Sequence, residues 1–173
     1  MREQLFNYLE NPSLDSFMGL RQAALSAEGF DPYSAALDGV SALMQEDRWE
    51  EVVEVISKNL FPNHLLSPSA HMYLGFAYHK LGREKESGFE QLMYSALLDG
   101  IKSTGEGTQE QPYFVTRTSD EYDLLMAEDM KPTQQALIKK DGRAFDAMTL
   151  EDGRQVWFDI TEIMDLLKAR IGE

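Results

Sequence analysis

Two short stretches of the chain, Asp47-Arg48-Trp49-Glu50-Glu51-Val52 and Gly82-Arg83-Glu84-Lys85-Glu86-Ser87, align with each other at a separation of 35 residues. Each lies between two amphipathic segments, so each reads as the turn of a helical hairpin in an internally repeated chain. Ahead of the first turn, Tyr33, Leu37, Val40 and Met44 mark one helical face after Asp31-Pro32. Beyond it come Trp49, Val52, Val53, Ile56 and Leu60, with Asp47, Glu50, Glu51 and Glu54 mostly opposite, until Phe61-Pro62-Asn63 ends the segment. The second hairpin starts at Ser67-Pro68 and carries Leu74, Ala77, Tyr78 and Leu81 on one face. It stops at Gly82 and resumes with Phe89, Leu92, Met93, Ala96 and Leu97. Asn11-Pro12, Asp31-Pro32 and Ser67-Pro68 each pair an acceptor for orphan N–H groups with a ring whose fixed φ suits a first helical turn, which predicts a helix start at each.

Leu74-Gly75-x-x-Tyr78-x-x-Leu81-Gly82, followed by Glu86-Ser87, resembles the tetratricopeptide-repeat signature. The chain departs from it at Ser87, where alanine is usual, at Gln91, where a bulky residue is usual, and at Gly39-Val40 in the earlier repeat, where leucine-glycine is usual. The resemblance implies that the first helix of each hairpin lines a concave, peptide-binding face. By register that face presents Ser69, Met72, Phe76, His79 and Lys80, together with Ser34, Leu37, Ser41, Met44 and Gln45. Met72 and Phe76 are one turn apart and lie off the Leu74/Tyr78 stripe, as a flexible thioether and an aromatic anchor would in a groove. The partner-binding candidates are therefore Met72, Phe76, His79, Lys80, Leu37 and Met44. With two repeats rather than the ~3 usually needed for a stable array, the alternative is that other parts of the chain cover this face as core.

After Leu98 the helical period gives way to Asp99-Gly100 through Gly107-Thr108, a turn-rich stretch. Tyr113-Phe114-Val115-Thr116 reads as a strand, and Thr118-Ser119-Asp120-Glu121 as a capping box opening a helix over Tyr122 to Met126. Asp152-Gly153 between alternating apolar runs predicts a type I′ hairpin with Thr149 opposite Val156 and Met148 opposite Trp157. In that register Phe145, Ala147, Val156, Phe158 and Ile160 share one face. A last helix, Ile163 to Ile171, follows Thr161 as its cap. The ordered series Leu97-x-x-Gly100-Ile101-x-Ser103-x-Gly105-x-Gly107-Thr108, Tyr113-x-Val115, Ser119-x-Glu121-Tyr122-Asp123-Leu124-Leu125 and the Phe145-to-Phe158 hairpin resembles bacterial proteins of the domain-of-unknown-function 4919 family. That resemblance implies a fold and no particular activity. The expected fold class is α+β: tetratricopeptide-like helical hairpins over 1–101, then a small antiparallel β lobe with a β-hairpin over 102–173, packed together as one unit.

Chemistry in the sequence is sparse. There is no cysteine, which excludes disulfides and thiolate sites. His71 and His79 are eight residues apart on one helix, not the adjacent i,i+4 pair of a zinc helix, and His64 has no partner motif, so the histidines read as structural or surface groups. Gly105-Glu106-Gly107-Thr108 lacks the lysine and spacing of a phosphate loop and reads as a tight turn. Asp120, Glu121 and Asp123 lack the spacing of a calcium loop. No serine sits in a nucleophile elbow. The expectation is a non-enzymatic protein with no cofactor and no metal, acting through a protein or peptide partner. A net charge of −14 disfavours nucleic acid and anionic membrane and favours a basic partner. An acidic immunity or inhibitor protein that neutralises a basic toxin domain is the alternative. The N-terminal segment lacks an apolar signal core, which predicts a cytoplasmic location, although members of the resembled family often carry export signals.

Overall fold

The computed structural model describes residues 1–172 and divides into two compact units, one over Met1–Leu98 and one beginning at Asp99. The first unit is helical. It contains α1 (Arg2–Glu10), α2 (Leu14–Leu25), α3 (Val40–Gln45), α4 (Trp49–Asn59), α5 (Pro68–Lys80) and most of α6 (Glu84–Ser103). Its apolar centre is Val40, Val52, Ile56, Ala70, Leu74 and Ala77, contributed by α3, α4 and α5. The two turns aligned in the sequence adopt one geometry. Asp47 and Gly82 both take positive φ, 55° and 71°. Arg48 N donates to Leu43 O as Arg83 N donates to Tyr78 O, and Asp47 N to Met44 O as Gly82 N to His79 O. This is a left-handed helix stop repeated 35 residues apart. Even the ion pairs match, Arg48 with Glu51 and Arg83 with Glu86.

Two of the three proline-marked starts differ from expectation. Ser67 does cap α5, accepting from Ala70 N with Pro68 in the first turn. At Asn11-Pro12 the cap is instead Ser13, whose hydroxyl forms a reciprocal box with Ser16. After Asp31-Pro32 there is no helix until Val40, because Asp31 Oδ1 accepts from Tyr33 N and Ser34 Oγ from Ala36 N. Such local bonds offer the backbone a turn in place of a helical ladder. Within α2, a Cβ added at Gly19 would meet nothing within 4 Å. Gly19→Ala is therefore expected to stabilise the chain by about 0.5–1 kcal/mol, read as a higher thermal midpoint.

The second unit is a four-stranded mixed sheet in the order β1-β4-β3-β2, with two helices. Its elements are β1 (Tyr113–Phe114), α7 (Ser119–Ala127), β2 (Pro132–Lys140), β3 (Arg143–Leu150), β4 (Gln155–Asp159) and α8 (Thr161–Ile171). Strands β2 to β4 are antiparallel, whereas the short β1 joins β4 in parallel. The longest strand, β2, has no counterpart in the sequence expectations, nor does the loop that makes it pair. Asp141 and Gly142, at φ 51° and 77°, form a two-residue loop between Lys140 and Arg143, the geometry of a type I′ turn.

The Asp152-Gly153 hairpin exists but its register is one residue away from that expected. Gly153 alone has positive φ, 84°, and Gly153 N donates to Leu150 O while Leu150 N donates to Arg154 O. The loop is thus three residues, a type I turn followed by a left-handed glycine. Met148 faces Val156 and Ala147 faces Trp157. A one-residue slip moves every side chain to the other face. Phe145 and Ala147 accordingly pack with Trp157 and Ile138, not with Val156 and Phe158.

The capping residues at α7 and α8 also differ. Thr118 makes no cap bond, and α7 is capped from within by Asp120, whose carboxylate reaches back to Thr116 and Arg117. At α8 the Thr161 hydroxyl accepts from Ala144 N, and it is Asp159 that accepts from Thr161 N.

Candidate functional site

In the first unit, α5 and α6 approach closely because position 75 is glycine. A Cβ there would already touch Glu90 Cβ at 3.4 Å. Ser87, the departure from the usual alanine, donates its hydroxyl to Gly75 O at 2.8 Å and accepts from Gln91 Nε2 at 3.3 Å. Below them the His71 ring is fully engaged, Nδ1 with Glu90 at 2.6 Å and Nε2 with Leu65 O at 2.9 Å. His71 is a structural residue.

Above this polar seam the helices leave a groove of about 300 Å³, lined by Met72, Gly75, Phe76, His79, Gln91 and Tyr94. Phe76 is 44% exposed, a large fraction for a phenylalanine. Its ring meets the edge of Trp49 at 5.4 Å, and Lys80 Nζ sits 5.2 Å from the Phe76 centroid and 5.8 Å from that of Trp49. His79 lies at the groove's solvent side, 3.2 Å from Glu84. Met72, Phe76 and His79 are thus brought together, with Lys80 alongside. Leu37 and Met44 are not part of the groove: both pack against the Val40-to-Ala77 core. Gln91 and Tyr94 were missed, although Ser87, Gln91 and Tyr94 recur at helical spacing on α6 and so share a face.

In the second unit, buried carboxyls cluster beneath the sheet. Asp120 and Glu121 have no exposed surface, and Asp146 lies in the doubly covered strand β3. Asp120 Oδ2 accepts from Thr116 Oγ1 at 2.7 Å, Arg117 N at 3.0 Å and Thr116 N at 3.2 Å. Burial and then the charge of Asp123 push Asp120 up to about 7. Burial, then Asp146 and Asp120, push Glu121 up to about 9, so it holds its proton at neutral pH. Its neighbour Asp146 is also raised, by burial, but is held by Gln135 Nε2 at 2.8 Å, and Gln135 in turn accepts from the Tyr122 hydroxyl. Glu121 is therefore not the capping-box residue that its spacing suggested. It faces another carboxyl in the interior. The Gly105-to-Thr108 stretch is a turn as expected, closed by Glu106 N and Thr108 N on Gln111 O. Among the described residues no group of three or more His, Asp or Glu side chains is placed to hold a metal ion.

No curated protein and no solved structure matches the chain. The sequence profile of a family described as a domain of unknown function, DUF4919, matches residues 30–168. That span takes in the α3-to-α6 hairpins and the whole sheet of the second unit, and the chain belongs to this family.

Proposed function

We propose that the protein is a non-catalytic interaction protein whose first unit binds a peptide segment in the α5–α6 groove. The observation that carries this reading is the exposed Phe76 ring, standing beside Met72 over an unfilled apolar groove and flanked by the Lys80 ammonium. An aromatic anchor with a flexible thioether neighbour accepts an apolar side chain, and the walls formed by Gln91 and Tyr94 supply polar contacts to a peptide backbone. Trp49 supports Phe76 from behind, so the anchor is held before a partner arrives and loses little freedom on binding.

The test is selection of peptides from a displayed random library on the immobilised full chain, followed by titration of the enriched peptides. Phe76→Glu is expected to weaken them at least tenfold while leaving the thermal midpoint within about 2 °C, because exposed substitutions change stability little. Unchanged affinity in that variant would remove the groove as the binding site. The net charge of −14 favours a second reading, an acidic antagonist that neutralises a basic toxin domain. In that case co-expression should protect cells from the toxin encoded beside it, and absence of protection would eliminate this reading.

A further inference from the structure

In the second unit, the loop between β2 and β3 and the side of α8 border an open surface pocket of about 320 Å³. It is lined by Lys139, Lys140, Arg143 and Lys168, with Asp141 and Asp165 as its acids. In a chain carrying a formal charge of −14, a pocket with more cations than anions goes against the overall composition. Lys168 is paired with Asp165, and Arg143 with the buried Asp159. Lys139 and Lys140 have neither an ion pair nor a hydrogen bond to their ammonium groups among the described residues.

The register makes this arrangement costly for folding alone. Lys140 and Arg143 are direct cross-strand partners on either side of the two-residue loop. Like charges placed opposite each other destabilise a hairpin, and a type I′ turn at Asp141-Gly142 would close equally well with an opposite-charge pair there. Arg143 is also held in place. Asp159 binds its Nε at 2.9 Å and a terminal nitrogen, while Phe145 packs its ring 4.7 Å from the guanidinium carbon. The same carboxylate accepts from Thr161 N at 2.8 Å, and Ile160 N bonds Ala144 O at 3.0 Å, so the start of α8 is fastened to the strand that carries Arg143. A guanidinium fixed on one edge by a buried acid keeps its other edge for a ligand, and Lys140, its cross-strand partner, shares its face of the sheet.

We propose that this pocket is a binding site for a small phosphate-bearing anion, with Lys140 supplying unpaired positive charge and Arg143, on the same face, a pre-oriented fork. The volume lies at the lower end of the range for small-molecule sites, ~300–1,000 Å³, which suits a phosphate or a small phosphate ester rather than a nucleotide. The proposal is independent of the groove on the first unit.

The test uses the full chain in phosphate-free buffer, with ionic strength held constant by sodium chloride. Inorganic phosphate and glucose 6-phosphate are titrated while the amide signals of Gly142 and Ala144 are followed by NMR. Saturable shifts confined to the β2–β3 loop and α8 are expected. Lys140→Gln should weaken binding at least tenfold without lowering the phosphate-free thermal midpoint, and Lys85→Gln, on the surface of the first unit, should bind as the unaltered chain does. Tighter binding of the ester would assign the rest of the pocket to the organic part of the ligand, and equal binding would assign the site to free phosphate. A linear, non-saturating response, or equal affinities in Lys140→Gln and Lys85→Gln, would overturn the proposal.

Discussion

Glu121→Gln is expected to stabilise the second unit at pH 8 by about 2–4 kcal/mol and to leave it nearly unchanged at pH 4.5. The carboxyl of Glu121 is pushed up to about 9 by burial, then by Asp146 and Asp120. A group with a higher pKa in the folded chain binds its proton more tightly there. Folding then carries no penalty below the unfolded value near 4.5, and a growing penalty as pH climbs toward 9. Glutamine has the same shape and no charge to lose. Asp120, raised to about 7, and Asp146, also raised, act with the same sign. The unaltered protein should therefore become more stable on acidification from pH 9 to pH 5. Carboxylates held low, Glu51 by Arg48 and Asp152 by the backbone and guanidinium of Arg154, oppose this only below about pH 4.5, and their exposure keeps that contribution small. Urea unfolding followed by Trp157 fluorescence in a Trp49→Phe background isolates the unit concerned. A stability that rises with pH between 5 and 9, or a Glu121→Gln variant that loses stability at pH 8, would contradict this account.

Gly105→Ala is expected to cost about 2–3 kcal/mol, with the opposite sign to Gly19→Ala. A Cβ at position 105 would lie 2.6 Å from Gln111 O and closer still to Pro112 O, and both obstacles are backbone. The loop cannot easily yield, because Glu106 N bonds Gln111 O at 2.8 Å, Phe114 N bonds Thr104 Oγ1 at 2.8 Å and Trp157 N bonds Gly107 O at 2.9 Å. Those bonds tie the turn to both β1 and β4, so a shift at Gly105 loosens one side of the sheet. Gly107 adds a second constraint, since its φ is +68° and a Cβ would meet the Tyr113 ring. Thermal denaturation of the two alanine variants in parallel decides the matter. A midpoint for Gly105→Ala at or above that of the unaltered chain would show that the loop relaxes freely.

The helical hairpins were legible in the sequence because their turns carry specific residues at a fixed separation. Gly82 supplies the left-handed stop outright, and Asp47, one of the few residue types to tolerate that conformation, supplies it at the matching place. The two Asp-Gly dipeptides show where such legibility ends. Asp141-Gly142 closes a two-residue loop with both residues left-handed, whereas Asp152-Gly153 belongs to a three-residue loop in which only the glycine is. The dipeptide alone does not distinguish them. What decides is whether a bulge is accommodated by the neighbouring pairing, and that is a tertiary matter. The buried acids were hidden for a related reason. Alternation in a strand signals an exposed face only when one side of the sheet is open, and β3 is covered on both sides, so Asp146 occupies an interior position while looking like a surface residue. In the groove, Met72 and Phe76 could be placed from the helical period, but Leu37 could not, because the helix assumed for it begins only at Val40.

Strand β2 has one further bearing on how the molecule behaves in bulk. Nine residues long, it pairs with β3 on one side and ends the sheet on the other, and it is exposed along nearly its whole length. Such a border is a template on which another copy could add itself, row upon row. Mutual repulsion between molecules of charge −14 holds those borders apart, and that repulsion reaches ~30 Å in 0.01 M salt but only ~3 Å in 1 M. Colloidal shelf life is thus a property of the solvent as much as of the fold: dilute salt protects the open border, and concentrated salt exposes it.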